Sequence, residues 1–105
     1  MAKKVIRKEQ GGQHVQLHVG DVLEIQLPEN GTTGFVWQLA PHAAWQVSRR
    51  FQPAGSQPGA AGTACIEMKL LRKLPGTVVK LELRRPWETN EPPAECFEFR
   101  LSVNE

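Results

Sequence analysis

Long apolar runs are absent from this 105-residue sequence. None approaches the roughly 20 consecutive apolar residues that a membrane-spanning helix needs, so we expect no membrane partner. The first ten residues contain basic side chains but no apolar stretch typical of a signal peptide. The sequence as it stands therefore predicts a cytoplasmic protein. A periplasmic or secreted location is the alternative if a leader has been removed.

An excess of charge of one sign is also absent. Lysine and arginine number 13, aspartate and glutamate number 11, and the formal net charge is +2. The basic pairs are spread along the chain and interleaved with acidic residues. Because nucleic-acid binding usually requires a concentrated basic field, we expect no nucleic-acid partner.

Cysteine is scarce, with two residues in the chain. Cys65 and Cys96 each alternate out of phase with the apolar residues that follow them, so on a strand both point away from the core. This parity argues against a disulfide across the core, and no thiol-enzyme motif surrounds either residue. His14 and His18 would lie roughly 13 Å apart on a strand, too far to share one ion. We therefore expect no metal and no cofactor.

Apolar residues recur at every second position, and no stretch sustains the spacing of a helix. The alternating groups, separated by turn residues, predict about seven strands in an all-β sandwich or barrel. We expect a single domain over residues 1–105, with a flexible start over about 1–12. The alternating positions are Val15, Leu17 and Val19; Leu23, Ile25 and Leu27; Phe35, Trp37 and Leu39; Trp45 and Val47; Ile66, Met68 and Leu70; Val79, Leu81 and Leu83; and Phe97, Phe99, Leu101 and Val103.

Three connections are long or unusual in composition: residues 28–34 (PENGTTG), 52–63 (QPAGSQPGAAGT) and 84–95 (RRPWETNEPPAE). They follow alternate strands, and successive antiparallel strands run in opposite directions, so all three should emerge at one end of a sandwich. Irregular loops grouped on a rigid scaffold are typical of a recognition surface. Trp87 in the third connection either packs onto the core or is presented to a partner.

The Asn30-Gly31 dipeptide in the first connection usually marks a two-residue hairpin turn. A hairpin does not need Thr32, Thr33 and Gly34, which follow it. Asn30-Gly31-Thr32 also matches the pattern for N-glycosylation, and a glycan on this loop is an alternative interpretation of the same residues.

The chain resembles the chagasin-like inhibitors of papain-family cysteine peptidases, in three motifs that span roughly residues 15–103. The family's N-P-T-T-G, G-x-G-G and R-P-W motifs correspond here to Asn30-Gly31-Thr32-Thr33-Gly34, Gly59-Ala60-Ala61-Gly62 and Arg85-Pro86-Trp87. Gly31 replaces the family's proline, which loosens the turn. Ala61 replaces a glycine, so the second motif must differ in shape if that position needs a positive φ.

This resemblance implies an immunoglobulin-like β-sandwich of about seven to eight strands, and a reversible, tight-binding inhibitor of papain-like cysteine proteases. It implies a monomer without catalytic residues, whose three loops fill the active-site cleft of the protease. In such a sandwich the strands on either side of the first motif belong to different sheets. The segment then crosses from one sheet to the other instead of forming a hairpin. The protease-binding residues implied are Asn30, Gly31, Thr32, Thr33, Gly34, Phe35, Gly59, Ala60, Ala61, Gly62, Arg85, Pro86 and Trp87.

Within this set the expected roles differ. Thr32 and Thr33 would enter the catalytic centre, and Gly34 would turn the loop back without colliding with the cleft wall. Trp87 would be the anchor, since tryptophan is enriched among the residues that dominate interfaces. Arg85 would either reach acidic groups on the protease or brace its own loop.

Two other functions fit parts of the sequence. An immunoglobulin-like binding module that recognises another protein or a glycan is the main alternative, because the scaffold and loops would serve it equally well. A hydrolase is less consistent with the sequence, since Ser48, Ser56 and the histidines form no recognisable arrangement of nucleophile and base. The three motifs together favour the inhibitor.

Overall fold

A computed structural model describes residues 2–30, 33–53, 61–88 and 90–105. Within these ranges the chain forms two four-stranded sheets, with strand orders β1-β3-β6-β5 and β2-β8-β7-β4. The predicted all-β sandwich of about seven to eight strands is confirmed. The strands are β1 (Lys3–Arg7), β2 (His14–His18), β3 (Val22–Asn30), β4 (Val36–Leu39), β5 (Trp45–Pro53), β6 (Ala61–Leu70), β7 (Leu74–Arg84) and β8 (Glu95–Asn104). None of the helical structure in the described ranges is long and apolar enough to cross a membrane.

The alternating apolar residues form the core between the two sheets. In β3, Leu23, Ile25 and Leu27 are all fully buried, because successive side chains of a strand point to opposite faces. Val19 and Val47 belong to the predicted inward set but remain 40% and 41% exposed. Val19 lies just beyond the end of β2, and Val47 lies on the edge strand β5, so neither is covered on both sides.

The start of the chain, for which the sequence predicts a flexible segment over about 1–12, contains a strand. Residues Lys3–Arg7 form β1, which pairs in parallel with β3, and Ile6 in this strand is fully buried. Lys3 also lies 3.2 Å from a carboxylate oxygen of Glu24. A five-residue strand with one fully buried side chain shows little alternation, which is why the sequence pattern did not reveal it.

The two cysteines are both free, but they differ in burial. Cys96 is exposed, as its parity predicts, whereas Cys65 is only 1% exposed. Cys65 lies on the outer face of the central strand β6, in register between Gln26 of β3 and Arg50 of β5. Cys65 thus points away from the core, as its parity predicts, yet its side chain is buried on the outer face of the sheet.

The first irregular connection is not a hairpin, because β3 and β4 belong to different sheets. At the same end of the sandwich, Asn30 at the end of β3 pairs with Ala61 at the start of β6, and Val36 at the start of β4 pairs with Arg84 at the end of β7. The three irregular connections therefore leave from one end, as predicted. They are called here the first loop (31–35), the second loop (54–60) and the third loop (85–94).

Asp21 holds the chain together at the opposite end of the sandwich. It is 6% exposed, and its two carboxylate oxygens accept hydrogen bonds of 2.9 Å from the backbone N–H groups of Ala2 and His18. These bonds, that from Ala2 foremost, favour the charged carboxylate and hold the pKa of Asp21 below its ordinary value. Because the folded-state pKa is lowered, the stabilisation is present at neutral pH and is lost as pH falls through that pKa.

Replacing Asp21 with Asn should lower the free energy of unfolding at pH 7, because the amide cannot supply two anionic acceptors. The difference between Asp21→Asn and the wild type should shrink as pH falls below about 4, because the unfolded chain then binds a proton that the folded carboxylate takes up only at lower pH. Urea unfolding of both proteins at pH 7 and at low pH measures this. A difference that stays constant with pH would contradict the assigned role.

Candidate functional site

The described part of the first loop is held by local hydrogen bonds. The Thr33 hydroxyl donates to the Asn30 carbonyl at 2.9 Å, and the Phe35 N–H donates to the Thr33 hydroxyl at 3.4 Å. Gly34 turns the chain with a φ of +80°. Gly31 and Thr32, two further predicted site residues, lie outside the described residues.

Gly34 is required by the protein's own third loop. A Cβ at this position would overlap the Trp87 ring and lie 3.2 Å from its Cζ2 atom. The indole therefore packs directly over the Gly34 backbone, and any side chain would displace it. The role of Gly34 at the wall of a protease cleft stays a prediction; within this chain, the Trp87 ring already leaves no room for a side chain there.

Trp87 is presented to solvent rather than packed onto the core. Its side chain is 68% exposed, although its ring contacts Gly34. A large apolar surface held in a fixed position by a neighbouring loop is available to a partner. The first of the two alternatives for Trp87, packing onto the core, is therefore excluded, and its presentation to a partner stays a prediction.

Arg85 joins the third loop to the first. Its Nε donates to the Thr33 carbonyl at 2.9 Å, and its Nη1 donates to Glu88 Oε1 at 3.1 Å. The guanidinium also lies over the Phe35 ring, 4.4 Å from the centroid, a favourable cation–π geometry. Of the two roles considered for Arg85, bracing its own loops is the one the contacts support. The Phe35 ring packs against the guanidinium of Arg85.

The rest of the third loop returns along the end of β7. Arg84 Nη1 donates to the Glu91 carbonyl at 2.6 Å, and the Ala94 N–H donates to the Leu83 carbonyl at 2.9 Å. Pro86 is exposed at the start of the loop. The loop that carries Trp87 is thus fixed at both of its ends.

The predicted residues of the second motif divide between two regions. Gly59 and Ala60 lie outside the described residues, whereas Ala61 and Gly62 begin β6. A Cβ on Gly62 would overlap the Gln52 carbonyl and lie 2.6 Å from Phe51 Cζ. Glycine is needed there by the neighbouring strand β5. Ala61 has no positive φ, so its replacement of the family's glycine causes no backbone strain at this position.

Directly below the loops lies a charged pair that belongs to none of the three motifs. Arg49 Nη2 donates to Glu29 Oε1 at 2.9 Å, and Glu29 Oε2 accepts the Trp37 N–H at 3.0 Å. A signal for this pair was present in the sequence, since Glu29 and Arg49 both occupy positions in phase with the inward-facing apolar residues of their strands. Charges at such positions are rare unless they are paired.

An all-β sandwich whose loops leave from one end, one of them carrying an exposed tryptophan, is typical of a recognition scaffold. The chain belongs to the chagasin family: the family described as "Chagasin family peptidase inhibitor I42" matches residues 16–103. The predicted family is therefore confirmed. Since this is a family of inhibitors, the prediction that the chain is not an enzyme is confirmed as well.

Individual relatives agree with this assignment. Chagasin from Trypanosoma cruzi is 32% identical over 108 residues, covering 94% of this chain and 96% of that protein. The crystal structure of the cysteine protease inhibitor EhICP2 from Entamoeba histolytica matches with a TM-score of 0.84 at 22% identity, covering 98% of this chain and 96% of the other. PbICP-C, solved in complex with falcipain-2, matches with a TM-score of 0.63 at 15% identity, covering 96% of this chain and 99% of the other.

Replacing Gly34 with Ala should destabilise the protein by about 1–2 kcal/mol, the cost of a left-handed conformation in a residue with a Cβ. It should also displace the Trp87 ring. Trp37 and Trp45 are buried, so fluorescence quenching by acrylamide reports mainly on Trp87, and we expect quenching to increase in Gly34→Ala.

Gly20→Ala is the matched control for this prediction. Gly20 also has a positive φ, of +93°, but a Cβ there would meet nothing within 4 Å. This variant should lose similar stability, as measured by urea unfolding, with unchanged quenching. Equal quenching in the two variants would show that Gly34 does not position Trp87.

Proposed function

We propose that this protein is a reversible, tight-binding inhibitor of papain-like cysteine proteases, and that its three loops together occlude the active-site cleft. Membership of a peptidase-inhibitor family supports the general activity. The observation that carries the loop mechanism is the position of Trp87, which is exposed and held against the first loop by Gly34. A bound wedge of this kind blocks access to the catalytic cysteine without any chemical step of its own.

Papain-like enzymes are the proposed target class. Chagasin, to which this chain is related, and the fold neighbour EhICP2, named a cysteine protease inhibitor, support that choice. PbICP-C is bound to falcipain-2 in its solved structure. Its sequence identity is low, so it supports the fold of the inhibitor, and its target comes to this chain only as part of the proposal.

The first loop supplies the tip of the proposed wedge. Asn30, Gly31, Thr32 and Thr33 are small or polar, so their backbone groups can approach the place where substrate backbone would lie. Because the Thr33 hydroxyl is bonded to the Asn30 carbonyl, its proposed role is to shape the tip. The second motif, Gly59-Ala60-Ala61-Gly62, would lie along one side of the cleft.

The third loop supplies the proposed anchor. Burial of a large aromatic side chain at the centre of an interface commonly contributes most of the binding energy. Trp87 is already oriented by Gly34 and by the brace that Arg85 forms to Thr33. Groups that are ordered before binding lose less conformational entropy when the complex forms.

Replacing Trp87 with Ala should weaken inhibition of papain by about 2 kcal/mol or more, while the urea midpoint stays close to that of the wild type. Leu71→Ala is the control, because Leu71 is also a large exposed apolar residue, at 44%, but follows β6 at the opposite end of the sandwich. It should leave inhibition unchanged. If Trp87→Ala inhibits as well as the wild type, Trp87 is not the anchor; if micromolar wild type leaves papain fully active, the proposed function is wrong.

A further inference from the structure

Glu29 and Arg49 form an ion pair between the two sheets, at the end of the sandwich that carries the loops. The Glu29 side chain is 5% exposed and the Arg49 side chain is 38% exposed. Nη2 of Arg49 contacts both carboxylate oxygens, at 2.9 and 3.1 Å. Neither residue belongs to the three loop motifs.

Trp37 completes this group from the second sheet. Its backbone N–H donates to Glu29 Oε2 at 3.0 Å, and its carbonyl accepts from Arg49 Nη1 at 2.9 Å. Its indole N–H donates to the Pro28 carbonyl at 2.9 Å. We call the three residues Glu29, Arg49 and Trp37 the clasp. It joins the end of β3, the start of β4 and the middle of β5.

The place of the clasp matters because β3 and β4 lie in different sheets. No ladder of backbone hydrogen bonds joins them, yet one precedes the first loop and the other follows it. The Glu29 carboxylate binds the Trp37 N–H directly and so connects the two ends of that loop. Arg49 ties the same carboxylate to β5, the strand that leads into the second loop.

We infer that Glu29 and Arg49 are positioning residues for protease inhibition. They fix the distance between the two strands that flank the first loop, and so fix where that loop lies relative to the two sheets. This inference rests on the proposed function, because it assumes that the loop enters the protease. A buried ion pair of this kind is seldom a large source of stability, since removing charges from water offsets much of their attraction. Its contribution here is to fix the relative positions of β3, β4 and β5 below the first loop.

Glu24 provides a matched comparison within the same strand. It too is buried, with its side chain 3% exposed, and it pairs with Arg50 at 3.4 Å and Lys3 at 3.2 Å. However, Glu24 lies on the outer face of the first sheet. The strands that its contacts connect, β1, β3 and β5, all belong to that one hydrogen-bonded sheet. Loss of the Glu24 pair should therefore affect stability without moving a loop.

The experiment compares Glu29→Gln with Glu24→Gln in papain inhibition and in urea unfolding. Both variants should lose stability. Glu29→Gln should raise the inhibition constant roughly tenfold or more, because the binding-competent loop conformation is populated less often. Glu24→Gln should leave the inhibition constant within about twofold of wild type, a change within the range of non-interfering substitutions.

Arg49→Lys, Arg49→Gln and the double variant Glu29→Gln/Arg49→Gln separate positioning from simple loss of charge. Lysine keeps the charge but cannot bond the Glu29 carboxylate and the Trp37 carbonyl together in Arg49's planar geometry, so Arg49→Lys should inhibit more weakly than wild type. The effects of the two glutamine substitutions should not add, because both break the same group of contacts. Additive effects, or full inhibition by Arg49→Lys, would overturn the inference.

Amide hydrogen exchange in the free protein tests the clasp independently of any protease. Glu29→Gln should speed exchange at Phe35 and Trp37, and Glu24→Gln should not. Unchanged exchange in Glu29→Gln, or equal inhibition by the two variants, would overturn the inference while leaving the proposed function standing. Failure of the wild type to inhibit papain would instead overturn the proposed function, and the exchange result would still decide whether the clasp orders the loop.

Discussion

Backbone hydrogen bonds hold strands together within each sheet, but they do not join β3 to β4, which lie in different sheets. The first loop leaves one of these strands and arrives at the other. Its position therefore depends on side chains. Below the loop, the Glu29 carboxylate binds the Trp37 N–H and Arg49; above it, Arg85 binds the Thr33 carbonyl. The presentation of the candidate site follows from these two sets of contacts.

Several residues of the loop motifs make their contacts inside the molecule. Gly34 makes room for the Trp87 ring, and Gly62 makes room for the neighbouring strand β5. Arg85 connects the first and third loops and stacks on Phe35. The described residues of the motifs therefore contribute to the internal packing of the first and third loops and of the start of β6. Ordering the loops in advance reduces the entropy lost on association.

The sequence pattern predicted strands where several apolar residues alternate. It missed β1, because that strand contains a single fully buried residue, Ile6. It also indicated correctly that Cys65 points away from the core, but not that flanking side chains bury it. Parity is a property of one strand, whereas burial depends on how far the side chains of neighbouring strands reach.

The sequence predicted some residues of the candidate site but not their exposure or their contacts. The motifs identified Trp87 as a candidate anchor, but the sequence could not decide whether its ring was exposed. Its ring is 68% exposed and packs against Gly34 in another loop. Glu29 and Arg49 were missed although they share the inward parity of their strands. Their pairing joins residues 20 positions apart and depends on which strands are neighbours at the end of the sandwich.

Local sequence patterns were enough to predict the strands in which several apolar residues alternate, the faces of those strands that turn inward, and the loops that share one end. These follow from a backbone repeat of two residues and from the reversal of direction between strands. Which side chains meet at that end depends instead on how the strands pack in three dimensions. Thr33 and Arg85 are 52 positions apart, and no local pattern relates them. They meet because the two sheets pack face to face and bring the ends of β3, β4 and β7 together.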